Sequence, residues 1–171
     1  MGHIFLKTIY FCFKFQVGKT IFIIIACMSF ASCAQLDVFE KTVALPAQSW
    51  YYNNQPSFSF DITDTLAAYN LFIVLRHTDT YQYNNIWLRI GSKAPGDSMR
   101  YQNIDVTLGT DAKGWEGNGM DDIFEVRKNI TRGPVPFKRA GKYTFTISQV
   151  MRENPLKYIL NAGIRVEKVQ L

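Results

Sequence analysis

The chain has 171 residues, 15% of them aromatic and 19% charged, with a formal charge of +5. Such a composition suits an ordered, aromatic-rich core and excludes a disordered chain. Lys7, Lys14 and Lys19 all precede the long apolar run that starts at Ile21, so the remainder is close to neutral, about +2. Nucleic-acid binding needs a concentrated basic stripe, and Arg127-Lys128, Arg132 and Lys138-Arg139 are too scattered to make one.

Residues 21–34 form the first element, an apolar run of 14 residues that ends at Cys33 and Ala34. A helix of that length covers only about 21 Å, short of the roughly 30 Å hydrocarbon core. It suits a signal peptide over residues 1–32, helical in its apolar part, with Lys14 and Lys19 as the positive flank. Phe30-Ala31-Ser32-Cys33 looks like a bacterial lipobox, with Phe in place of the usual Leu. Cys33 is therefore the expected lipidation site, its thiol carrying the diacylglycerol that anchors the mature chain. The alternatives are the second lipobox-like string Ile24-Ile25-Ala26-Cys27, where cleavage would leave residues 28–31 as an apolar stub, cleavage at Ser32-Cys33-Ala34 to release a soluble domain, or an uncleaved anchor. Cys12, Cys27 and Cys33 are the only cysteines, so residues 34–171 hold no disulfide, Cys-based metal cluster or thiol nucleophile.

Residues 33–171 read as a single domain of modal size. "VFEKTV" alternates from residue 38. "SFSFDI" sets Phe58, Phe60 and Ile62 on one face. "YNLFIVLRH" is apolar on both faces at its centre. "NIWLRIG" groups Ile86, Leu88 and Ile90 opposite Trp87 and Arg89. Further strands are expected around Ile104–Leu108, Ile123–Ile130, Tyr143–Ile147 and Ile164–Val169. About eight strands predict an all-β, antiparallel β-sandwich, a jelly roll in its most regular form, with an eight-stranded barrel as the alternative. "SQVMRENPLKYIL" predicts a short C-terminal helical turn around residues 150–160, interrupted by Pro155. Trp50 and Trp87 are expected in the core.

Two loops carry the candidate chemistry. "RHTDTYQYNN" presents Tyr81 and Tyr83, expected to be exposed, and "GTDAKGWEGNGMDD" carries Trp115 among glycines and acids. Loops this long inside a compact domain are often binding loops, so Tyr81, Tyr83 and Trp115 are the candidate partner-binding residues. The second loop also offers oxygen donors, with Asp111, Asp121 and Asp122 as metal candidates, but without EF-hand spacing. The plainer reading is that these acids face water, so neither a metal nor a cofactor is expected. His77 is the lone histidine after the leader, which rules out a multi-histidine site. Asp79 follows it, yet no Gly-x-Ser-x-Gly is present, and a structural role for His77 is the better expectation.

Together, "VFEKTVALP", "PSFSFDITDT", "YNLFIVLRHTDTYQYNNIWLRI", "TDAKGWEGNGMDDIFE", "FKRAGKYTFTISQVMRENPL" and "LNAGIRVEKV" resemble the gliding motility lipoprotein GldH family of the Bacteroidetes. The resemblance covers nearly all of residues 33–171 and supplies no catalytic residue to transfer. It implies a lipid-anchored accessory protein of the gliding and type IX secretion machinery, bound to the membrane through Cys33 and to envelope proteins of that apparatus. The expected place is the outer membrane, facing the periplasm. A carbohydrate-binding lipoprotein is the second reading and a glycan-active enzyme the third.

Overall fold

The computed structural model describes residues 38–169. The expected signal peptide and Cys33 lie outside the described residues. Eight long strands are present: β1 (Val38–Ala44), β2 (Ser57–Ile62), β3 (Ala68–Thr78), β4 (Asn85–Lys93), β5 (Arg100–Thr107), β6 (Ile123–Asn129), β7 (Gly141–Gln149) and β8 (Ile159–Lys168). They form two antiparallel sheets, ordered β1-β8-β3-β6 and β2-β7-β4-β5. The chain thus pairs β4 with β5, β3 with β6, β2 with β7 and β1 with β8, a long hairpin wrapped across two sheets. That is jelly-roll topology. The barrel alternative is overturned, because the sheets end at separate edges and no strand pair among the described residues joins them.

Period-two alternation decides which face of each strand turns inward. On β2, Phe58, Phe60 and Ile62 are buried while Ser57, Ser59 and Asp61 are exposed. On β4, Ile86, Leu88 and Ile90 point in, which leaves Trp87 44% exposed on the outer face. The core role expected for Trp87 is therefore wrong. Trp50 is fully buried, its indole N–H donating to the Asn54 carbonyl at 2.8 Å. Aromatic rings close the sandwich near the start of β1. Phe39 meets Phe60 across the sheets at 5.2 Å, and Phe137 packs edge-on to Tyr69 and Tyr143.

β3 is the central strand, and at its centre it is buried on both faces. Leu71, Ile73 and Leu75 face the core, while Val74 on the opposite face is sealed as well. Val74 shares a register row with Arg127 and Gly163. Ion pairs run across this outer face. Arg76 and Arg127 both grip Glu125, at 2.6 and 2.9 Å, Arg127 and Arg165 share Glu40, and Arg165 also holds Glu167. Gly163 sits beneath them because a Cβ there would come within 2.5 Å of the Lys41 carbonyl oxygen and the Thr42 methyl.

The helical turn expected around residues 150–160 is not formed. Among the described residues the only helix is a 3-10 turn, Pro46–Gln48. Residues 151–155 are bends, and Leu156–Lys157 pairs with Ser49–Trp50 as a two-residue ladder. Buried Gln149 organises the segment. Its amide donates to the carbonyls of Trp50 (3.2 Å) and Glu153 (3.0 Å) and accepts from the Met151 N–H (2.8 Å). Pro155 has no N–H to give to a helix, and Asn154 instead caps the Tyr52 N–H at 3.0 Å.

Candidate functional site

The two long loops meet at the end of the sandwich where β3 finishes and β6 begins. Tyr81 turns back through its own N–H, which donates to the Thr78 carbonyl at 3.2 Å. This turn drops the ring into the core, where it is 3% exposed and its hydroxyl donates to the Asn85 carbonyl. Burial, with Tyr83 and Glu153 nearby, pushes the phenol well above its ordinary range. The exposure expected of Tyr81 is thus incorrect. Tyr83 is half-buried against Tyr81, its hydroxyl donating to Glu153 at 2.7 Å, a bond that raises its pKa.

Trp115 is also half-buried. It packs edge-on to His77, with ring centroids 4.6 Å apart, and tilts against Tyr81 and Phe124. His77 is fully buried within these rings. Its Nδ1 bonds the Thr78 carbonyl at 2.8 Å, and a carbonyl can only accept, so Nδ1 carries the proton. Nε2 has no partner. Desolvation holds the imidazole below its usual pKa and therefore neutral. Sealed from water, His77 is part of the packing beneath the loops and is poorly placed to exchange a proton with a solvent-borne substrate.

The acids of the glycine-rich loop do not converge. Among the described residues no three His, Cys, Asp or Glu side chains are grouped to hold a metal. Asp111 instead accepts from the Asn84 amide at 2.7 Å. Asp121 and Asp122 form the tip of a two-residue hairpin between Asn118–Met120 and β6, with Met120 opposite Ile123. Asp121 takes a left-handed φ of 55°, which Asp tolerates in such turns. Gly117 makes the hairpin's approach possible, since a Cβ there would lie 2.1 Å from the Glu125 carbonyl oxygen.

That hairpin opens a groove of about 530 Å³ on the outer face of the first sheet. Met120, Ile123 and Leu160 supply its apolar wall, while Arg76, paired with Glu125, and Asn161 lie along one side and Asp121 and Asp122 at the lip. Met120 is 74% and Ile123 36% exposed. Sequence reading passed over these residues. The available signal was "GMDDIF", two apolar residues flanking a two-residue acidic turn.

The family described as GldH lipoprotein matches residues 37–166. The chain is 29% identical over 161 residues to a gliding motility lipoprotein GldH homolog of Christiangramia forsetii, covering 90% of this chain and 96% of the relative. It is 30% identical over 160 residues to the gliding motility lipoprotein GldH of Flavobacterium johnsoniae, covering 85% and 94%. Among solved structures, the infectious bursal disease virus VP2 subviral particle aligns with 80% of this chain at a TM-score of 0.35 and 14% identity, and this chain spans 33% of that one. The match over residues 37–166 places the chain in the GldH lipoprotein family.

Proposed function

We propose that the chain is a non-catalytic envelope lipoprotein, acylated at Cys33, that serves the gliding and type IX secretion apparatus by binding a protein partner. Its place is the outer membrane, facing the periplasm. The groove of Met120, Ile123 and Leu160 carries this reading. It is an apolar wall left open to water beside charged side chains. The acids at its lip favour a partner segment that presents an aliphatic side chain next to a Lys or Arg. Trp115, Tyr81 and Tyr83 pack with one another and with His77 and Phe124, so their removal would loosen the loops at this end.

A photoreactive residue in place of Met120, activated in living cells, is expected to capture a component of the motility or secretion machinery. Ile123→Asp should abolish that capture while the thermal transition stays put. No specific adduct, or one indifferent to Ile123→Asp, would end the proposal. A carbohydrate-binding reading stands second. Trp87 and Tyr101 are 44% and 62% exposed on the outer face of the second sheet, where Arg89 and Asn103 pair between them. The two readings differ in the residues on which binding depends.

A further inference from the structure

The end of the sandwich opposite the groove has its own surface chemistry. Val38 opens β1 and stands in one row with Glu167 and Asn70. Farther out in the same direction the Val169 N–H bonds the Ala68 carbonyl at 2.8 Å. Beyond them projects the loop of residues 63–67. Four residues separate Cys33 from Val38, so an acylated Cys33 lies at most about 17 Å from the start of β1. Any bilayer holding that anchor is within reach of this end.

The 63–67 loop holds Leu66 96% exposed, the barest large apolar side chain among the described residues. It is a braced loop. The Asp64 carboxylate accepts from the N–H groups of Leu66 (2.9 Å) and Ala67 (3.2 Å), and it pairs with Lys168 at 2.8 Å. The Lys168 contact, with these amides, holds Asp64 below the usual carboxylate range. Tyr69 adds a hydroxyl donated to the Asp64 carbonyl at 2.8 Å. A leucine fixed in water by so many bonds invites an apolar medium to receive it.

Charge at this end has one prevailing sign. Lys93, Arg100, Lys138 and Lys142 are exposed and form no ion pair among the described residues. The acids nearby are mostly occupied: Asp64 by Lys168, Asp97 by Arg139 and Glu167 by Arg165, with Asp61 opposite Lys142. At the groove end the exposed acids Asp79, Asp111, Asp121 and Asp122 stand among the exposed bases Lys113, Arg152 and Lys157.

We propose that this basic end seats on the bilayer that holds the anchor. Leu66 enters the interface, and Lys93, Arg100, Lys138 and Lys142 meet anionic lipid headgroups. The inference rests on acylation of Cys33. Its consequence is orientation: β3 spans 11 residues, so the groove, at the far end of the sheet, is held about 35 Å above the membrane and opens to the side.

The mature acylated chain would carry no free thiol, which allows a single-cysteine test. Thr65→Cys and Asp111→Cys proteins, purified from membranes and checked for the acyl group by mass spectrometry, are labelled with a fluorophore. They are then reconstituted into phosphatidylcholine–phosphatidylglycerol vesicles containing brominated lipid. The dye at residue 65 should be quenched and that at residue 111 spared. Leu66→Asp combined with Lys138→Glu should remove the quenching without changing the circular dichroism. Equal quenching at both positions of acylated protein would overturn the orientation while leaving the anchor intact. An unmodified Cys33 would overturn the anchor and this inference with it.

Discussion

Gln149 offers the sharpest test of how the final third of the chain is held. It is 1% exposed, and its amide makes three hydrogen bonds to backbone groups of Trp50, Glu153 and Met151. Gln149→Met keeps the volume and removes all three. At about 0.5–1.5 kcal/mol net for each bond, the loss comes to about 2–4 kcal/mol. For a domain of this size that lowers Tm by about 6–12 °C. Urea unfolding followed by tryptophan fluorescence suits the case, because buried Trp50 belongs to the same network. Gln149→Ala adds a cavity and should cost more than Gln149→Met. A Met variant within about 0.5 kcal/mol of the parent would refute the reasoning, because surface changes of no structural weight fall in that range.

Gly163→Ala should destabilise by about 1–3 kcal/mol through overpacking, because the new methyl meets the backbone of β1 at 2.5 Å. Hydrogen exchange should show β1 losing protection first, and an unchanged β1 would count against the close-approach argument. His77 is held neutral by burial, with its folded pKa below the unfolded value near 6.5. The unfolded chain therefore binds more protons once the pH drops past about 6.5, so stability is complete above that point and declines below it. His77→Leu should flatten this part of the stability–pH curve, and a slope that survives the substitution would assign it to other groups.

Much of the fold was legible because each strand advertises its inner face. Phe58, Phe60 and Ile62 alternate with Ser57, Ser59 and Asp61, and the buried pattern follows them residue for residue. The same rule applied strictly would have turned Trp87 outward, since it alternates with Ile86 and Leu88. Its large apolar ring drew the expectation to the core instead. Residues 150–160 misled for another reason. Val150, Met151 and Leu156 suit a helix locally, but Gln149 reaches Trp50, a contact across 99 residues that no local pattern contains. Tyr81 and Trp115 were rightly placed on the long loops, yet whether a loop aromatic points out or folds back depends on what lies beneath it. Here His77 and Phe124 provide the floor. The groove was hidden because its wall joins Met120 and Ile123 to Leu160, on strands that β3 separates, and these come together only when the first sheet assembles.

The wrapping of the chain also sets an order for folding. Among the described strands β1 comes first in the chain and β8 last, yet they are neighbours in register over seven residues. A chain that emerges amino terminus first can close β4 on β5 early, but its leading strand waits for β8 before it has a strand partner. Closing so large a loop last makes such a topology slow to mature. Until then the amino-terminal strand remains an unpaired ribbon, open to chaperones and to faulty partners.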